Sequence, residues 1–129
     1  KIVADTLEHS TAGSVTTDFV VNGSAKAWVN FNGKQTSGNE YVRDSLNIGS
    51  TVDNGTGNYD FNLSSAMAKS TWIAVCGEND GTTSIDRNLR QAHMHVASTT
   101  NLDVQSGATN TTQAFDVGNL FIACMGDLA

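Results

Sequence analysis

Residues 52–63 read Val-Asp-Asn-Gly-Thr-Gly-Asn-Tyr-Asp-Phe-Asn-Leu. Asn and Gly make a tight turn, and Tyr59, Phe61 and Leu63 then alternate strictly with polar residues. A period of two fits one backbone, a strand with one face covered and the other in water. The Asn54-Gly55 pair predicts a type I′ hairpin turn ahead of that strand. Residues 25–33 share the design: Ala27, Val29 and Phe31 alternate with Trp28 and Asn30, and Asn32-Gly33 closes the run.

The composition agrees with strands and turns. Leu, Ile, Val and Phe number 28 of 129 residues, whereas Asn, Thr, Ser and Gly together number 52. Ser, Thr, Asn and Gly are mediocre to poor helix formers, while Thr and Val suit pleated sheet and Asn and Gly suit turns. So thin a core predicts that partner subunits bury part of the apolar surface, as obligate interfaces do.

Eight or nine short strands follow at intervals of roughly ten residues, with no convincing helix, which is the mark of a β-sandwich or barrel. The fold expected is all-β: an antiparallel sandwich of jelly-roll type over residues 25–129, with residues 1–24 as an extended N-terminal arm or attachment segment. Residues 72–77 and 120–125 are continuously apolar and predict strands covered on both sides. In residues 92–98, Met94 and Val96 alternate with His93 and His95. Residues 78–88 read as the longest exposed polar loop.

The net charge is −6 with no Lys/Arg cluster, so the basic footprint of a nucleic-acid binder is missing. The longest apolar run, residues 120–125, is too short to span a bilayer, and no membrane insertion is expected. The opening residues do not read as a secretory signal. Cys76 and Cys124 have no metal-ligand spacing and read as buried free thiols, with pairing open only if their strands are neighbours.

Chemistry has few footholds. His93-Met94-His95 places two imidazoles on one side of a strand. Three chains around an axis would offer six nitrogens, a set suited to iron or a similar transition metal, while the plainer reading is two solvated histidines. A cupin-like centre needs another histidine and a carboxylate nearby, and the remaining histidine, His9, lies in the polar arm. Asp and Glu residues such as Asp44, Asp53 and Asp60 could pair for glycan hydrolysis, but Asp and Asn beside Gly usually serve turns. Ser, Cys and His form no recognisable nucleophilic signature. The expectation is a protein without catalytic activity and without a cofactor, the His pair aside.

The runs Ala25-Lys26-Ala27-Trp28-Val29-Asn30-Phe31-Asn32-Gly33 and Asp53-Asn54-Gly55-Thr56-Gly57-Asn58-Tyr59 resemble a module of marine bacteriophage tail-fibre and virion structural proteins. Arg43-Asp44-Ser45-Leu46-Asn47-Ile48, Ser65-Ala66-Met67 and the ending from Phe115-Asp116-Val117 through Met125-Gly126-Asp127 are similar to later strands of that module. Ala68 stands where the module commonly has proline.

The resemblance implies a structural protein on the virion surface, a short tail fibre or fibre tip. Such a protein is a homotrimer that docks onto other virion proteins and attaches to host glycan or outer-membrane protein. A capsid decoration or head-fibre protein and a lectin-like carbohydrate-binding module are the alternatives. Loops on a rigid scaffold carry recognition. The host-contact candidates are therefore Glu78, Asn79, Asp80, Arg87 and Arg90, in the region where the resemblance is weakest.

Overall fold

The structure, a computed structural model, describes residues 4–11, 13–34, 41–79, 90–108 and 113–129. Two four-stranded antiparallel sheets are formed by β3 (Ala25–Phe31), β4 (Val42–Leu46), β5 (Ile48–Asp53), β6 (Asn58–Leu63), β7 (Ile73–Asn79), β8 (Arg90–Val96), β9 (Asn101–Ala108) and β10 (Asn119–Met125). The first sheet runs β4-β3-β10-β7 and the second β5-β6-β9-β8.

Each central strand sends its apolar positions inward. Ala27, Val29 and Phe31 of β3 and Leu120, Ile122 and Cys124 of β10 meet Tyr59, Phe61 and Leu63 of β6 and Leu102 and Val104 of β9. Phe31 holds the centre, edge-on to Tyr59 at 5.0 Å and to Phe61 at 5.2 Å. Met67, Trp72 and Val117 fill the ends. The Trp72 indole N–H donates to the Ser98 carbonyl at 2.9 Å, which satisfies its one polar group.

The sandwich is the one expected from the alternation, and its winding adds detail. Three connections, β3–β4, β5–β6 and β8–β9, join neighbours within a sheet. The other four, β4–β5, β6–β7, β7–β8 and β9–β10, cross to the other layer. The β4–β5 connection crosses at Asn47, which takes φ 57° and is the one non-glycine residue with positive φ among the described residues.

The turn at Asn54 also differs from the expected two-residue type I′ form. It is a four-residue loop in which Gly55 (φ 116°) and Gly57 (φ 67°), rather than Asn54, take the left-handed backbone. Asp53 Oδ1 accepts the Gly55 amide at 2.9 Å, an Asx-type brace that competes with the tighter turn. A Cβ on Gly57 would stand 2.5 Å from the Ser106 carbonyl oxygen, so this position requires glycine.

Ahead of the sandwich, β1 (Thr6–His9) and β2 (Gly13–Thr16) form a separate hairpin, and α1 (Thr17–Gly23) is a short helix where no helix was expected. Seven residues are too few to display helical periodicity, and α1 buries none of its side chains.

Candidate functional site

The candidate surfaces are the two outer faces of the sandwich, and ladder registry defines both. On the first sheet, Leu46, Trp28, Ala123 and Val75 are direct cross-strand partners and make one continuous row over all four strands. Phe121 stands beside it, opposite Gly77, and Ile73 pairs with Met125. Ile73 is 61% exposed, Leu46 and Val75 are each 48% exposed, and Phe121 is 43% exposed.

These positions correct the expectation that residues 72–77 and 120–125 are covered on both sides. Their inward residues are covered, but nothing in the described chain lies over the outward ones. Trp28 belongs to this face too, half-buried among its neighbours.

On the second sheet the matching four-strand row is Val52, Asp60, Asp103 and His95. Asn58, Gln105 and His93 flank it on one side, and Ser50, Asn62 and Asn101 on the other. This face satisfies much of its own polarity. Asn101 Nδ2 donates to Asn62 Oδ1 at 3.0 Å, Asn62 Nδ2 donates to Ser50 Oγ at 3.2 Å, and His95 Nδ1 lies 3.2 Å from Asp103 Oδ2.

His93 and His95 stand on the same exposed side of β8, opposite Met94 and Val96, which pack against the core. His93 faces Gln105 and only His95 reaches a carboxylate. Among the described residues no group of three His, Cys, Asp or Glu side chains gathers to hold a metal. Among the described residues, one chain therefore brings two imidazoles to any such site.

Of the expected host-contact residues, Asp80 and Arg87 lie outside the described residues. Glu78, Asn79 and Arg90 belong to strands rather than to a loop. The β7 ladder runs on through Leu120↔Glu78 and Asn119↔Asn79, and Asn119 Nδ2 donates to Asn79 Oδ1. Pairing with β10 outweighed the polar composition that suggested a loop.

A polar knot ties the layers together at one end. The Tyr59 hydroxyl lies 3.0 Å from Asp116 Oδ1 and 3.2 Å from the Gly33 carbonyl oxygen, and the Gly57 amide donates to the same Asp116 oxygen at 2.7 Å. Burial, the hydrogen bond to Asp116 and the negative charges of Asp116 and Asp53 all push the Tyr59 phenol far above its ordinary range. Sequence reading passed over Asp116, which no spacing links to Tyr59. Within the first sheet, Arg43 ties β4 to the carbonyl oxygens of Phe31 (3.3 Å) and Gly118 (2.8 Å).

The cysteines are free. Ile122, not Cys124, pairs with Cys76, which leaves the thiols on adjacent strands but displaced diagonally, beyond disulfide reach. Burial pushes the Cys124 thiol up to about 11. Asp44 and Asp60 point out of opposite faces, so they do not form a carboxylate pair.

No family model, curated protein or solved structure matches this chain.

Proposed function

We propose that this protein is a structural component of a bacteriophage virion, a short tail fibre or fibre-tip protein. In this reading it assembles as a homotrimer on the particle surface, contributes to host attachment and does no bond-breaking chemistry. The observation that carries the assembly reading is the Leu46-Trp28-Ala123-Val75 row, with Ile73 and Phe121 beside it. A contiguous apolar patch of this kind marks an interaction site more often than a bare surface. Covering the exposed part of each large side chain would stabilise an assembly by about 1 kcal/mol apiece.

The N-terminal hairpin and helix supply the attachment to other virion proteins. Leu7, Phe19 and Val21 are exposed there, Phe19 by 73%. The resemblance of residues 25–33 and 53–59 to a phage module supplies the virion context. Association through the apolar face leaves His93 and His95 on the opposite face, so a shared metal on the same trimer axis is not part of this reading.

Light scattering on the purified protein tests the assembly: a mass three times that of the chain is expected, and a stable monomer at micromolar concentration would overturn it. Imaging of labelled protein on intact particles tests the location, and finding none on tail or head would sink the virion assignment.

A further inference from the structure

Along one side of the sandwich, β4 and β5 are the terminal strands of their sheets. Between them lies an open groove of about 450 Å³ lined by Tyr41, Val42, Ser45, Ile48, Ser50 and Thr51. That volume falls within the ordinary range of small-ligand sites. None of these lining side chains carries a charge. Ser45 pairs with Val29 and Thr51 with Phe61, both core positions, so the two hydroxyl-bearing side chains turn inward between the layers. The Tyr41 ring is braced on Phe31, nearly parallel at 15° with centroids 5.5 Å apart.

The two edges are also unsuited to an added strand. In β4 the pairing passes from Asp44↔Asn30 to Val42↔Phe31, which leaves Arg43 as an extra residue. In β5 it passes from Ile48↔Leu63 to Ser50↔Asn62, which leaves Gly49 extra. Bulges of this kind break the flat ladder that an incoming peptide would extend. The groove therefore suits a compact neutral ligand with one apolar face and several hydroxyls, held by side chains rather than by main-chain pairing.

We propose that the β4–β5 groove binds a neutral pyranose ring of a glycan. The C–H face of the sugar rests against Tyr41, and its hydroxyls exchange hydrogen bonds with Ser45 and Thr51. This assignment rests on the attachment role proposed above and names the chemistry that is gripped.

The test titrates methyl glucoside, methyl galactoside and methyl N-acetylglucosaminide separately into isotope-labelled protein, followed by amide NMR shifts. At least one is expected to give saturable shifts centred on residues 41–51. Thr51→Val and Ser45→Ala each remove one hydroxyl with little change of shape and should weaken that binding by about tenfold. Absence of saturable shifts with all three sugars would overturn the proposal. So would binding that ignores both substitutions, or shifts at these residues given only by an extended Ser/Thr-rich peptide. Light scattering on the same samples separates the two readings. A trimer that ignores the sugars sinks the groove alone, and a sugar-binding monomer sinks the assembly alone.

Discussion

The two sheets carry matching four-residue rows on their outer faces, one Leu-Trp-Ala-Val and the other Val-Asp-Asp-His. Both hang on the same core and have the same ladder geometry. They differ only in what the outward positions hold. The second face bonds to itself through Asn62, Asn101 and the His95–Asp103 pair, and so it is complete in a single chain. The first face bonds to itself only toward its margins, through Asn119–Asn79 and Arg43–Asn30, while its central row is Leu46, Trp28, Ala123 and Val75. Alternation tells which residues leave the core, but only the chemistry of those residues tells whether the face they form ends at water.

The most severe way to break the comparison is to remove what both faces share. Phe31→Ala empties the centre beneath Tyr41, Tyr59 and Phe61 and should cost about 3–5 kcal/mol in urea unfolding. Both faces should be lost together, and survival of either one would show that the layers are independent.

A direct contrast comes next. Val75→Lys puts a charge into the apolar row and should reduce the proposed trimer to monomer by light scattering. Val52→Lys, at the end of the polar row, should leave the mass unchanged. Equal effects would end the distinction between the faces.

The knot joining the layers has a pH signature. The Tyr59 phenol is raised in the folded state, so its contribution is fully present below the ordinary phenol value of 10.0 and is lost as pH rises above it. Stability should fall in alkaline solution, with the raised Cys76 and Cys124 thiols adding to the loss from their ordinary value of 9.0 upward. Tyr59→Phe should cost about 1 kcal/mol at neutral pH and should flatten the upper part of that decline. An unchanged alkaline profile would show that the phenol does not hold the layers.

The smallest effect belongs to the polar face. Replacing His93 and His95 by Ala should change stability by less than about 1 kcal/mol, as expected for an exposed pair, and should leave the oligomer intact. Loss of assembly in this variant, matched by loss on metal chelation in the unsubstituted protein, would place a shared ion at the interface.

Much of the sandwich could be read directly from the chain. The inward faces of β3, β6 and β8 follow from alternation of Ala27, Val29 and Phe31, of Tyr59, Phe61 and Leu63, and of Met94 and Val96. What escaped depends on distance in the chain. Whether β7 is central or at an edge is decided by β10 pairing on its one side, and nothing local in residues 73–79 announces that. Asp116 accepts from Tyr59, 57 positions away, and from Gly57, 59 positions away, and no short pattern encodes such a partnership. The β4–β5 groove likewise exists only because two edge strands from different layers come to lie side by side.

The position of β10 sets the order in which the protein becomes competent. It lies between β3 and β7, yet translation produces it after every other strand of the sandwich. Until it emerges, β3 and β7 have no common neighbour, and neither Phe121 nor Ala123 is present to join Trp28 to Val75. A chain that has not yet paired β10 thus lacks the finished oily stripe. In the proposed assembly, recognition between sister molecules would then follow the long-range closure of this sheet.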